Sequence, residues 1–62
     1  MDITKIKNKY EEIMQYWKDD KKVEKLKNEM NILLQKAFDK YGENNVIKEY
    51  QKFVRDRWNN YK

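Results

Sequence analysis

The chain has 62 residues without cysteine or histidine, and its 15 basic and 11 acidic side chains give a net charge of +4. A chain of this length forms one small helical domain, residues 1–62, near the lower size limit for independent folding. The absence of cysteine excludes disulfides and thiolate metal sites, and the absence of histidine removes the commonest remaining metal ligand and acid–base group. We therefore expect stability to come from compact helix packing or from association of two copies.

The residue inventory argues against catalysis. Serine is absent as well, so Thr4 is the sole hydroxyl besides the tyrosines, and the standard nucleophile–base pairs are excluded. The adjacent carboxylates Glu11–Glu12 and Asp19–Asp20 point about 100° apart on a helix and do not form a shared acid–base site. The sequence predicts a non-enzyme without a cofactor, a metal or a small-molecule substrate.

No apolar run of signal-peptide length is present, and none approaches the roughly 20 residues of a membrane span. We therefore expect a cytoplasmic protein that does not bind membranes. The small charge excess among many charges is typical of a mixed solvated surface, which permits nucleic-acid contact without requiring it. The abundance of Lys, Asn, Ile and Tyr is typical of AT-rich coding sequence from a low-GC bacterium or a virus.

Apolar residues predict a first helix over about 2–18. Their spacing alternates between three and four, as expected for one face of an amphipathic helix. Asp2 is suited to cap the start of this helix, and Met14 widens its apolar seam. The seam residues are Ile3, Ile6, Tyr10, Ile13 and Trp17.

A turn is predicted at 18–21, although no glycine or proline marks it. A continuous helix would bring Asp20 and Glu24 into the seam, and burying unpaired carboxylates costs several kcal/mol. The apolar pattern restarts at Val23 in a new phase. Asp19 or Asp20 is therefore expected to cap the next helix.

The second helix is predicted over 21–41 and carries the widest apolar stripe of the chain. Gly42 is the only glycine and is expected to end this helix in the left-handed conformation. Asn44 or Asn45 is expected to cap a third helix over 44–60. The stripe of the second helix contains Val23, Leu26, Met30, Leu33, Leu34, Ala37, Phe38 and Tyr41, and that of the third contains Val46, Ile47, Tyr50, Phe53, Val54, Trp58 and Tyr61.

Connections of a few residues make consecutive helices antiparallel neighbours. The sequence therefore predicts an all-α fold, a compact three-helix bundle that either stands alone or is completed as a homodimer.

The segments VEKLKNEM, DKYG and VIKEYQKF together resemble the two-helix aspartyl-phosphate phosphatases of sporulating Gram-positive bacteria. Those proteins pair two antiparallel helices, the second of which carries a Ser-Gln-x-Leu-Asp signature. At the matching positions Gln51 is identical and Phe53 is similar in type, whereas Tyr50 and Val54 replace the serine and the aspartate. The resemblance implies a helical hairpin, and no phosphatase activity follows from it.

Surplus apolar residues favour a protein partner. Ile32 lies off the central stripe, and Met14 and Tyr16 widen the first helix beyond its seam. Apolar groups left over on a charged surface often mark a partner or dimer face. The leading hypothesis is a small regulatory or inhibitory protein that binds a protein partner, or a second copy of itself, through its helical faces.

The alternative hypothesis is a nucleic-acid-binding module that uses the last helix. There, phosphate-pairing charges are interleaved with aromatic groups able to stack on bases. At helical spacing a simpler interpretation is favoured, in which Trp58 and Tyr61 complete the core and the basic groups are solvated. The residues of the alternative are Lys48, Lys52, Arg55, Arg57, Trp58, Tyr61 and Lys62.

Overall fold

Three α-helices make up most of residues 1–60, the part of the chain that the computed structural model describes. They are α1 (Thr4–Gln15), α2 (Asp20–Tyr41) and α3 (Glu43–Asn59). Helix α2 packs against both of the others, whereas the backbones of α1 and α3 approach each other less closely. The molecule is flat, with extents of 32 × 29 × 14 Å. The prediction of an all-α three-helix bundle is confirmed.

The core lies where the apolar stripes of the three helices meet. Ile6 of α1 and Val46 of α3 are the largest fully buried side chains. Within residues 1–60 no polar or charged side chain is buried, so the interior depends on apolar packing. The buried cluster consists of Ile3, Ile6, Met30, Ala37 and Val46, with Tyr10, Ile13, Leu33, Leu34, Phe38, Tyr41 and Tyr50 packed around it.

Helix α1 is shorter than the predicted 2–18. The Tyr16 N–H donates to the carbonyls of both Glu12 and Ile13, each at 3.2 Å, which tightens and ends the last turn. The Asp19 N–H then bonds the Tyr16 carbonyl at 2.9 Å and closes the turn at 16–18. Because helical spacing stops at Gln15, Trp17 leaves the seam and is 65% exposed. The prediction that Trp17 completes the apolar seam of α1 is therefore wrong.

Two aspartates cap the first two helices. The Asp19 carboxylate accepts the Lys22 N–H at 3.1 Å, which confirms the predicted cap of α2. The Asp2 carboxylate accepts both the Thr4 N–H at 3.0 Å and the Thr4 hydroxyl at 2.6 Å. Asp2 lies one residue before Ile3, the N-cap of α1, so it supports the helix start from just outside the predicted position.

A single residue, Gly42, connects α2 to α3. Its φ of 93° is positive as predicted, but its ψ of 137° lies far from the left-handed helical value of about 47°. Its N–H bonds the Phe38 carbonyl at 2.9 Å, and its own carbonyl accepts the Val46 N–H at 3.1 Å. One glycine thus ends one helix and begins the next.

The predicted asparagine cap of α3 is wrong. Helix α3 begins at Glu43, ahead of both Asn44 and Asn45, and no side chain caps it. The Asn45 amide instead donates to the Tyr41 carbonyl at 2.9 Å, so it satisfies the end of α2. With a one-residue connection, α3 has already started where the asparagines occur.

Candidate interaction surfaces

A cleft lies between the C-terminal parts of α1 and α3, and both tryptophans of the chain line it. Its volume is about 440 Å³. Trp17 reaches it from the turn after α1, and Trp58 reaches it from the end of α3 and is 47% exposed. We call it the tryptophan cleft; its lining residues are Glu11, Met14, Gln15, Trp17, Arg57 and Trp58.

The walls of the tryptophan cleft are fixed by polar contacts between α1 and α3. Arg57 donates from Nε to Glu11 Oε1 at 2.6 Å and from Nη2 to Glu11 Oε2 at 2.8 Å. The Trp58 indole N–H donates to the Tyr10 hydroxyl at 2.9 Å. These side-chain hydrogen bonds connect the C-terminal parts of α1 and α3.

Tyr10 is itself held by aromatic contacts. Its ring lies edge-on to Tyr50 at 6.0 Å and to Phe53 at 5.4 Å between centroids. Burial, and to a lesser extent the neighbouring Tyr10, raises the pKa of the Tyr50 hydroxyl above its ordinary value of 10.0. The hydrogen-bond acceptor of Trp58 therefore has a defined position.

The predicted partner-binding residues do not form one surface. Met14 lines the tryptophan cleft, whereas Tyr16 is 38% exposed in the turn after α1 and is not among the lining residues. The Lys22 ammonium lies 4.7 Å from the centroid of the Tyr16 ring and covers part of it. Ile32 is 57% exposed on α2 and is not part of the cleft.

The predicted nucleic-acid-binding residues also separate into two groups. Lys48, Lys52 and Arg55 are exposed on α3, and their spacing of four and three places them on one face. Within residues 1–60 these three side chains form no ion pair. We call this set the basic stripe.

The other members of that set lie elsewhere. Arg57 is engaged by Glu11, and Arg57 and Trp58 both line the tryptophan cleft. Trp58 thus does not complete the core, since it is 47% exposed. It lies three residues after Arg55 on α3, so it is a helical neighbour of the end of the basic stripe as well as a wall of the tryptophan cleft. Tyr61 and Lys62 lie outside the described residues.

Sequence reasoning missed Glu11, Gln15 and Trp17 as parts of one surface. The apolar spacing of α1 continues through Trp17, and periodicity alone therefore predicts that Trp17 belongs to the seam. Its position directly before the predicted turn at 18–21 was the one indication that Trp17 could lie outside the regular helix and be exposed. Trp17 and Trp58 are 41 positions apart along the chain, so local sequence patterns cannot indicate that they line the same cleft.

Comparisons with protein-family models, with curated proteins and with solved structures give no match for this chain. No helix within residues 1–60 combines the length and apolar character needed to cross a membrane. Over the same residues, no three acidic side chains converge in a way that could hold a metal ion.

Proposed function

We propose that this protein is a small non-enzymatic binding protein that engages a protein partner through the tryptophan cleft. The observation that carries the proposal is that Trp17, 65% exposed, and Trp58, 47% exposed, line one cleft together with Met14 and Arg57. Tryptophan, methionine and arginine are enriched at protein interfaces, and tryptophan and arginine dominate their binding energy. Isolated exposed apolar residues need no explanation, but two tryptophans in one cleft do.

The fixed walls of the cleft support the proposal. Side chains that are already ordered lose less conformational entropy when a partner binds. The Glu11–Arg57 ion pair and the bond from Trp58 to Tyr10 provide that order before binding. Because Arg57 already has a carboxylate, the cleft favours an apolar or aromatic anchor from the partner over an acidic one.

A regulatory or inhibitory role in the cytoplasm belongs to the same proposal. A second copy of this chain is the alternative partner that the sequence predicts.

Selection from a random-peptide display library tests the proposal without knowledge of the partner. Peptides selected on the wild-type chain should carry an aromatic or large aliphatic anchor. Their affinity should fall about tenfold or more in Trp17→Ala, as at an interface hot spot. The matched control is Ile32→Ala, which removes an exposed apolar side chain elsewhere and should change affinity less than twofold or so.

Two results decide whether the tryptophan cleft is the binding surface and whether a second copy is the partner. Selected peptides that bind Trp17→Ala and Met14→Ala as tightly as wild type would exclude the tryptophan cleft as the binding surface. Sedimentation of the free chain answers the question of self-binding. A mass that rises with concentration in wild type, but not in Trp17→Ala, would identify a second copy as the partner.

Nucleic-acid binding through the basic stripe is a second candidate. It is favoured by one observation, the three exposed cations Lys48, Lys52 and Arg55 on one face without a carboxylate partner in residues 1–60. Duplex and single-stranded DNA should be titrated at about 50 mM and about 200 mM salt, with tryptophan fluorescence as the readout.

Binding through the basic stripe should weaken steeply with salt, and a Lys48→Gln/Lys52→Gln variant should show a flatter salt dependence. The matched control, Lys21→Gln/Lys25→Gln on α2, makes the same change in net charge and should retain the wild-type slope. Equal effects of the two double variants would assign the response to overall charge and exclude the stripe.

A further inference from the structure

A second cleft lies on the opposite part of the molecule, between the start of α1 and the end of α2. Its volume is about 320 Å³. Its floor is apolar and continuous with the core, and its rim carries three lysines. We call it the lysine-rimmed cleft; the floor is Ile3, Ile6, Leu33, Ala37 and Tyr41, and the rim is Lys5, Lys36, Lys40 and Asp2.

The charge on this rim is unbalanced. Among residues 1–60, Asp2 is the only acid that lines the cleft, and its carboxylate already accepts two hydrogen bonds from Thr4. Lys5, Lys36 and Lys40 form no ion pair within residues 1–60. The Lys40 ammonium lies 5.2 Å from the centroid of the Tyr41 ring, within the range of a cation–π contact. Its charge also contributes to the lowered pKa of Asp2, after the hydrogen bonds from Thr4.

The adjoining part of the same helix pair is different. One α1 turn beyond Lys5, Lys9 forms an ion pair with Glu29 of α2 at 2.7 Å and lies 3.7 Å from Glu12. In this part of the α1–α2 surface, the charge of Lys9 is balanced by two glutamates. At the lysine-rimmed cleft, by contrast, three lysines surround an apolar floor, and the one lining acid in residues 1–60, Asp2, is hydrogen-bonded to Thr4.

We propose that the lysine-rimmed cleft binds an acidic peptide segment of a partner protein, in which an apolar side chain is flanked by carboxylates. The floor accepts the apolar side chain, which gains from leaving water. The three lysines pair with the flanking carboxylates, and their positive field attracts such a segment in preference to a basic one. A nucleic acid would satisfy the lysines but would leave the apolar floor without a matching group.

This surface is independent of the tryptophan cleft. It uses the beginning of α1 and the end of α2, whereas the tryptophan cleft uses the ends of α1 and α3. The two clefts also differ in chemistry, since Arg57 already holds a carboxylate and the rim lysines do not. One small chain would thus bind two segments of different character.

The test is an NMR titration of the ¹⁵N-labelled full chain with three acetylated and amidated peptides, EELFEE, EEAAEE and KKLFKK. EELFEE should give saturable shifts at the backbone amides of Ile6, Leu33 and Ala37. The indole N–H signals of Trp17 and Trp58 report separately on the tryptophan cleft and should not move. EEAAEE should bind at least about fivefold more weakly because it lacks the apolar side chains, and KKLFKK should not bind.

Charge-reversal variants locate the binding. Lys36→Glu/Lys40→Glu should weaken EELFEE about tenfold, because two attractive pairs become repulsive. The matched control, Lys48→Glu/Lys52→Glu on α3, changes net charge equally and should stay within about twofold of wild type. Far-UV circular dichroism confirms folding, and Lys36→Gln/Lys40→Gln replaces the first variant if that variant is unfolded.

Several results would overturn the inference. These are an absence of saturable shifts up to about 2 mM peptide, equal binding of EEAAEE, or equal effects of the two charge-reversal variants. A duplex DNA that shifts the same amides at a comparable concentration would assign the cleft to phosphates instead. If EELFEE moves only the indole signals, the lysine-rimmed cleft is excluded while the proposed function of the tryptophan cleft stands.

Discussion

Arg57 of α3 holds Glu11 of α1 through two parallel hydrogen bonds, with nitrogen–oxygen distances of 2.6 and 2.8 Å. The two residues are 46 positions apart in the chain and join the helices whose backbones are least close. A planar guanidinium matches a carboxylate in this geometry, which a lysine cannot do. The pair therefore orients α3 against α1 and shapes one wall of the tryptophan cleft.

A double-mutant cycle with Glu11→Gln and Arg57→Met, each of which removes the ion pair, should give a coupling energy of about 0.5–1 kcal/mol. The pair is partly exposed, so solvent screens it and its contribution stays in the range of surface ion pairs. Urea unfolding of the four proteins measures this coupling. Glu24→Gln is the control, because Glu24 is exposed and forms no ion pair within residues 1–60. A coupling energy indistinguishable from zero would show that the bidentate geometry does not persist in solution.

Ile6 and Ile32 allow the same substitution to be compared inside and outside the core. Ile6→Val removes one methylene group from a side chain that is 2% exposed and should lower the free energy of unfolding by about 0.5–1.5 kcal/mol. Ile32→Val makes the same change on the surface and should stay within about 0.5 kcal/mol of wild type. Thermal unfolding separates the two, since about 1 kcal/mol shifts Tm by about 4–8 °C in a domain of this size. Equal losses would mean that Ile32 is covered in solution, as in a dimer.

Substitutions at Gly42 test the backbone conformation of the α2–α3 connection. Gly42→Ala should cost about 1–3 kcal/mol, because its φ of 93° and ψ of 137° are strained for any L-residue with a side chain. The cost comes from the backbone conformation and not from a clash, because an added Cβ would lie 3.5 Å from the Asn45 side-chain nitrogen Nδ2, an ordinary van der Waals contact. Gly42→Asn distinguishes this conformation from a left-handed helical cap. Asparagine tolerates the left-handed helical region but not this ψ, so both variants should lose similar stability by urea unfolding. Recovery of wild-type stability in the asparagine variant would contradict the observed ψ.

The sequence predicted the helices well because their apolar stripes repeat over several turns. The spacing of Ile3, Ile6, Tyr10 and Ile13 predicts that they face the core, and all four pack there. Predictions at helix ends were less successful because single hydrogen bonds decide them. The bonds from Tyr16 to Glu12 and Ile13 end α1 before Trp17, and periodicity alone does not contain that information.

Neither cleft could be predicted from the sequence. Each one brings together residues from two helices whose separation depends on the turn geometry. The tryptophan cleft requires the turn at 16–18, and the lysine-rimmed cleft requires the start of α1 to lie against the end of α2. Charge counts along the chain show that Lys5 and Lys36 exist, but not that they share a rim.

Acid stability depends on the ion pair between Lys9 and Glu29. The hydrogen bond from the Lys9 ammonium holds the pKa of Glu29 below its ordinary value of 4.5. A carboxylate with a lowered pKa in the folded state stabilises the fold above its unfolded pKa, and that contribution is lost as the pH falls through the folded pKa. Glu29→Gln should therefore be less stable than wild type near neutrality and should lose less stability between about pH 5 and about pH 3.

Urea unfolding across that pH range provides the measurement, with Glu24→Gln as the matched control. Parallel curves for wild type and Glu29→Gln would show that Lys9 does not hold Glu29 in solution. Asp2 contributes to the same acid range, because hydrogen bonds from Thr4 lower its pKa below 3.8. Some loss of stability in acid should therefore remain in the Glu29 variant.

The Trp58–Tyr10 hydrogen bond should stabilise the end of the bundle that carries the tryptophan cleft. Its length of 2.9 Å and its position beside the aromatic cluster predict a coupling energy of about 0.5–1.5 kcal/mol between Trp58→Phe and Tyr10→Phe. A double-mutant cycle is required because Trp58→Phe also changes ring size, whereas Tyr10→Phe keeps the ring contacts with Tyr50 and Phe53.

Trp17→Phe is the control for this cycle, since Trp17 is the more exposed indole and its replacement should leave stability within about 0.5 kcal/mol of wild type. Each single-tryptophan variant also reports on one wall of the cleft by fluorescence. In Trp17→Phe the remaining Trp58 should become more accessible to acrylamide when Tyr10→Phe is added, because its indole N–H loses its acceptor. Unchanged quenching, together with zero coupling, would mean that this hydrogen bond does not position Trp58. The tryptophan cleft would then lose one of its two fixed walls, and the entropic argument for partner binding would depend on Glu11 and Arg57 alone.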